Sequence, residues 1–197
     1  GGDITGADTG RLSVHRGELI IDISGTPNQP GFEGKIFTDL GVNLVKNGTA
    51  EFLIAPRGLN NDINGDVILN QGTLKLQNTG SLYANNVPYS GTIDFRGGTF
   101  FPGSAADFSS NFSNAANQQY KLRINGPGAT YSSALQSNGG TFELIDGNLT
   151  FAAGNTYTGS TTVTSGVLTI GPAGSLSGTA PLIVGNGAEV RLGNDFE

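Results

Sequence analysis

The sequence predicts an all-β chain wound as a right-handed parallel β-helix. Three observations predict it. Helical periodicity is nearly absent, short alternating strands recur, and a glycine splits each pair of strands at one fixed place. In Val67-Ile68-Leu69-Asn70-Gln71-Gly72-Thr73-Leu74-Lys75-Leu76, apolar residues stand five and three places before Gly72 and two and four places after it. The same frame fits Gly17 with Leu12, Val14, Leu19 and Ile21, and Gly147 with Phe142, Leu144, Leu149 and Phe151. Two strands with one apolar face each, joined by a residue that accepts positive φ, turn the chain while both faces stay inward.

Taken in order, residues 1–100 read as N-terminal rungs bent at Gly17, Gly48, Gly72 and Gly98. The frame around Gly98 uses Ile93, Phe95 and Phe100, with Pro102 in the last place. Three Pro/Asn/Gly-rich loops interrupt these rungs, at Thr26–Lys35, Ala55–Asn64 and Tyr83–Ser90. Residues 101–120 form an insertion. Within it Ser104-Ala-Ala-Asp107 resembles a capping box, and Phe108, Phe112 and Ala115 or Ala116 follow with helical spacing, so one short helix is expected. Residues 121–197 are C-terminal rungs bent near Gly126 to Gly128, at Gly147, at Gly166 (with Thr161, Val163, Leu168 and Ile170) and at Gly187. These bends imply about eight rungs of roughly 19 to 31 residues, or about 40 Å at about 4.8 Å per rung.

Composition removes several chemistries. The 197 residues include no Cys, no Met and no Trp, so neither a disulfide framework nor a thiol nucleophile nor a Cys-ligated metal is available. One His rules out a site needing two imidazoles. A net charge of −6 argues against nucleic acid and anionic membranes as partners. No apolar run approaches the length of about 18 residues that a membrane span needs. The 11 Phe and 5 Tyr supply material for a core. The chain starts at Gly1 without an initiator Met or a signal segment and stops at Glu197 just after a strand-like stretch. It therefore reads as a processed product or an excised piece of a longer chain.

The strongest internal match is gapless. Gly72-Thr-Leu-Lys-Leu-Gln-Asn-Thr-Gly80-Ser81-Leu82 aligns with Gly166-Val-Leu-Thr-Ile-Gly-Pro-Ala-Gly174-Ser175-Leu176. With its preceding residues, Asn155-Thr-Tyr-Thr-Gly159-Ser-Thr-Thr-Val163-Thr-Ser-Gly166, the second copy resembles the passenger-associated transport repeat of bacterial autotransporters. The match covers residues 155–178, as one full copy. The resemblance implies a right-handed β-helix passenger domain, secreted or exposed at the cell surface outside the bacterial outer membrane. The translocating barrel of such proteins does not lie within these residues.

Candidate sites are sparse. A polysaccharide lyase or hydrolase on a β-helix needs acids gathered near a Lys or Arg. Stacked rungs place Asp22, Glu51 and Lys75, or Asp94 and Arg96, as the nearest approach to this, but the acids are otherwise scattered. His15 stands beside Arg16 at an outward position, with no legible partner. Asn60-Asn61-Asp62-Ile63-Asn64-Gly65-Asp66 lacks the later Glu of a calcium loop and reads as a turn with Asx caps. Thr156, Thr158, Thr161, Thr162 and Thr164 read as outward strand surface. The sequons at Asn47, Asn111 and Asn148 carry no weight by themselves. Catalytic, metal and cofactor-binding residues are accordingly expected to be none.

The expected function is structural: a rigid stalk or adhesin scaffold, with loops for a host-surface or matrix ligand. A filament or sheath subunit stacking through open β-helix ends is the alternative, and a carbohydrate-active enzyme the third reading. The interaction residues expected from the last rung are Leu182, Val184, Val190, Leu192 and Phe196. Its partner is the remainder of a longer chain or another copy, joined by end-to-end strand addition.

Overall fold

A computed structural model describes residues 11–24, 31–56, 60–77, 82–84, 87–176 and 180–193. The chain is an all-β solenoid of about seven turns, close to the eight expected. It divides into two compact units, Gly1–Gly103 and Ser104–Glu197.

The first unit holds strands β1 (Arg11–Val14), β2 (Glu18–Asp22), β3 (Lys35–Thr38), β4 (Asn43–Asn47), β5 (Glu51–Ile54), β6 (Val67–Leu69) and β7 (Thr73–Leu76). It continues with β8 (Tyr83–Ala84), β9 (Val87–Pro88), β10 (Ile93–Phe95) and β11 (Thr99–Phe101). One parallel sheet runs β2-β4-β6-β10, a second runs β5-β7-β11, and β1 pairs with β3. The register stacks like positions from coil to coil. Leu19, Leu44, Val67 and Ile93 form one inward column, and Phe52, Leu74 and Phe100 another. All seven are buried. Leu12 and Val14 also face inward but are only half-buried. The strand at Lys35–Thr38 escaped the glycine frame, and the loop expected at Tyr83–Ser90 contains the antiparallel hairpin β8–β9.

The second unit holds β12 (Gln119–Arg123), β13 (Ala129–Tyr131), β14 (Thr141–Asp146), β15 (Asn148–Phe151), β16 (Thr161–Val163), β17 (Val167–Ile170), β18 (Leu182–Val184) and β19 (Glu189–Leu192). Two parallel sheets, β12-β14-β16-β18 and β13-β15-β17-β19, make its walls. Leu122, Leu144, Val163 and Val184 stack in register, as do Ala129, Leu149, Leu168 and Val190. An aromatic cluster fills the interior, with Phe142 on Phe151 at 4.8 Å and Phe112 edge-on to Tyr131 at 5.5 Å between ring centroids. Each fully buried large side chain contributes about 1.5–3 kcal/mol, so these columns supply the main stabilising term.

The glycine frame holds in both units. Positive φ occurs at Gly17, Gly48, Gly72, Gly126, Gly128, Gly147, Gly166 and Gly187, each between two strands. In the frame around Gly98, the residue that takes positive φ is its neighbour Gly97. The bends stack like the strands: Val167 N–H donates to Gly147 O at 2.9 Å, and Glu189 N–H to Gly166 O at 2.9 Å.

The helix expected in the insertion is a single 3-10 turn, Ser109–Asn111. The polar residues that resembled a capping box close turns instead. Ser104 Oγ accepts from Ala106 N–H at 3.3 Å, and Asp107 Oδ1 from Ser109 N–H at 2.8 Å. Short polar side chains offer the backbone such alternatives to a helix. Phe108 and Phe112 are nevertheless buried, as their apolar spacing implied.

Candidate functional site

The segment resembling a transport repeat is a stacking element, and nearly every motif residue in it serves the adjoining coils. Asn155 is buried and bridges two of them. Its Oδ1 accepts from Leu135 N–H at 2.8 Å, and its Nδ2 donates to Ser175 O at 3.0 Å. Tyr157 fills the interior, its hydroxyl bonded to that of Thr161. Thr158 Oγ1 accepts from Gly139 N–H at 2.6 Å, one coil earlier. Gly159 N–H donates to Gly140 O at 2.7 Å, and a Cβ on Gly159 would collide with that same oxygen. Gly166 combines φ +81° with a backbone so close that a Cβ would overlap the carbonyl of Gly147. Val163, Leu168 and Ile170 are buried in the columns above.

One expectation for this segment is corrected. Thr161, which the sequence places both in the frame about Gly166 and in an outward threonine surface, follows the frame and does not belong to that surface. It is 4 % exposed and faces the interior, because it lies in register with Phe142 and binds Tyr157. Thr162 faces out, and Thr164 donates to Glu143 Oε1 at 3.0 Å.

Leu182 and Val184 continue the inward columns of β16, and Val190 and Leu192 those of β17. Nothing among the described residues covers them. Leu182 is 47 %, Val184 45 % and Leu192 62 % exposed, whereas Thr161, Val163 and Ile170 directly beneath are buried. Val190 is half-buried, and Ile183, on the outer face of β18, is 52 % exposed. Phe196 lies outside the described residues.

The charged candidates resolve into pairs. Lys75 Nζ lies 3.2 Å from Glu51 Oε1 and over the Phe101 ring. Asp22 lies in register with Asn47, in the other sheet, and so does not join them. Arg96, just after β10, binds Asp94 at 2.7 Å. His15 does have a partner: its Nδ1 stands 3.2 Å from Asp39 Oδ2, with both side chains exposed. The polar loop around residue 62 is structural. Asn61 Oδ1 accepts from Ile36 N–H at 2.8 Å, Asp62 binds Lys35 at 2.6 Å, and Asp66 Oδ1 accepts from Thr92 N–H at 2.8 Å. Among the described residues, no three of His, Asp and Glu gather as metal ligands would.

Two polar sites have roles that the sequence did not reveal. Lys46 occupies an inward position in the column Ile21–Lys46–Leu69–Phe95 and is fully buried. Its ammonium donates to Asn47 O, to Gly48 O at 2.7 Å and to Gln71 O at 3.4 Å, at the inside of a bend. Burial lowers its pKa, partly opposed by the negative charge of Asp22. The second site is Asp107, whose carboxylate takes four hydrogen bonds from Ser109 and Ser132. A lysine among apolar residues in a strand gave no signal, and Asp107 meets Ser132 only because the fold brings them together.

Comparison with protein-family models, with characterised proteins and with solved structures finds no match to this chain.

Proposed function

We propose that this chain is a structural scaffold: a stalk or adhesin backbone of a secreted or surface-exposed bacterial protein that carries out no reaction. The observation that carries this reading is the role of residues 155–176. Asn155, Tyr157, Gly159, Gly166 and Leu168 hold one coil to the next, and the chemistry of the segment is consumed in stacking. Its likeness to the autotransporter transport repeat supports an extracellular location. Incubation with acidic and neutral polysaccharides, with and without calcium, tests it. No turnover is expected; chain cleavage abolished by a single carboxylate substitution, such as Glu51→Gln, overturns it.

A second reading rests on the last rung. Four inward apolar side chains whose counterparts one coil below are buried favour continuation by another coil, either from a longer chain or from another copy. Light scattering distinguishes the two sources. Self-association removed by Val190→Lys with Leu192→Lys supports filament growth, and a concentration-independent monomer excludes it for this chain.

A further inference from the structure

The sequence contains five Asn-Gly pairs, at 47–48, 64–65, 125–126, 138–139 and 186–187. Asn-Gly is the dipeptide most open to attack of a backbone amide on the preceding side chain, because glycine places no Cβ in the way. In an unfolded chain all five are nearly equivalent. The fold makes them different.

Three are restrained. Asn47 Oδ1 accepts from Asn70 Nδ2 at 2.8 Å, and Gly48 is packed on the backbone of Ile23. The carboxamide of Asn64 is tied by its nitrogen to Thr38 O at 2.6 Å, and Gly65 is buried against Val42. Asn138 is exposed, but the Gly139 N–H is engaged by Thr158 Oγ1 at 2.6 Å.

Asn125-Gly126 is the opposite case. Both residues are exposed at the bend between β12 and β13. Gly126 has φ +72° and open space around it. Its N–H already points at the side chain of Asn125, with nitrogen 2.9 Å from Oδ1. With a C=O bond of about 1.2 Å, the amide nitrogen is at most about 4.1 Å from Cγ, close to the range of about 3–3.5 Å from which bonds form. Asn186-Gly187 shares the exposure and the open space, with φ +79°.

We propose that Asn125-Gly126 is a self-modification site, at which the folded protein deamidates through a cyclic imide. The Gly126 nitrogen loses its proton to solvent base and bonds to Cγ of Asn125. The Cγ–Nδ2 bond breaks and ammonia leaves with the proton. Water then opens the five-membered ring at either carbonyl, giving aspartate or isoaspartate. One water enters and one ammonia departs, with no change of oxidation state. The product carries a new negative charge on the outer surface of the bend, and its isoaspartyl form adds one methylene to the backbone there.

The test is peptide mapping with fragmentation of the full-length chain, aged in mildly alkaline buffer, folded and in denaturant. In the folded protein Asn125 is modified fastest, about tenfold or more ahead of Asn47 and Asn64, with Asn186 second. In denaturant the five rates converge. Gly126→Ala slows Asn125 while leaving Asn186 unchanged. The proposal is overturned if Asn125 is no faster than Asn47 or Asn64 in the folded state, if Asn186 overtakes it, or if the folded ranking persists in denaturant.

Discussion

Asp107 and Ser132, twenty-five residues apart, are joined twice: the carboxylate Oδ2 accepts from the Ser132 N–H at 2.8 Å and from its hydroxyl at 2.5 Å. The other carboxylate oxygen accepts from the N–H and hydroxyl of Ser109. Ser109 Oγ in turn accepts from Ser133 N–H at 2.9 Å. One carboxylate thus pins the insertion to the chain that follows β13.

That arrangement sets an acid limit. Burial would raise the pKa of Asp107, but the hydrogen bonds from Ser109 and Ser132 outweigh it and hold the carboxyl below its ordinary value. The folded state therefore binds this proton less readily than the unfolded chain. The resulting stability is complete above the unfolded value near 4 and is lost as pH falls through the folded one. Asp107→Ala should cost about 1–2 kcal/mol at neutral pH, after discounting for solvent screening. It should also flatten the acid limb of a urea-unfolding series below pH ~4. An unchanged acid limb would refute the assignment.

Glycine substitutions should separate shape from contact. Gly17 and Gly166 share φ +81°, yet a Cβ on Gly17 would meet open space and one on Gly166 would overlap the backbone of Gly147. Gly17→Ala should cost about 1 kcal/mol, the strain of positive φ alone. Gly166→Ala should cost several times more, since one coil must move off the next. Thermal melts of the two variants decide this, and equal losses would contradict it.

The tyrosines should report unfolding at high pH. Burial raises the pKa of Tyr89, Tyr120 and Tyr131 far above the ordinary phenol, and that of Tyr157 to about 12. The folded state keeps these protons when the unfolded chain has released them, so stability falls as pH rises above about 10. Tyrosinate absorbance from these residues should appear together with loss of circular dichroism rather than before it. Within the set, Tyr131 differs. Its hydroxyl is buried without a hydrogen-bond partner, whereas that of Tyr120 donates to Ser113 O at 2.7 Å. Tyr131→Phe should raise stability by about 1 kcal/mol, and Tyr120→Phe should lower it by a similar amount.

Lys46 should act in the other direction. With its pKa lowered, the folded state gives up this proton before the unfolded chain does, so its contribution to stability rises with pH toward 10.5. Lys46→Met keeps the bulk and removes that rise, while leaving three carbonyl groups at the bend without their donor. A net loss of about 1–3 kcal/mol at neutral pH is expected. A variant more stable than the parent at neutral pH would show that desolvation outweighs the hydrogen bonds.

The glycine bends and inward columns were legible in the sequence because both are local demands: a backbone angle that excludes Cβ, and an alternation of period two. Lys46 breaks that alternation, and only the carbonyls converging from its own bend and the next coil explain a charge there. The inward turn of Thr161 follows its place in the frame about Gly166, and Tyr157 satisfies its hydroxyl there. Residues 104–112 carried the composition of a helix start, but the same serines and aspartate bind turns equally well. Of the five last-rung residues, the four in strands were placed by their frame.

Side-chain bridges such as Asn155 to Leu135 and Asn64 to Thr38 span 20 and 26 residues. In these bridges the partner lies about one coil away. Assembly then becomes a growth reaction with a fixed increment: each new coil closes a loop of about 20–26 residues, at an entropic cost of about 3 kcal/mol beyond a constant, however many coils precede it. A chain delivered gradually from one end can bank each increment before the next arrives, and its folding time should scale with its number of coils.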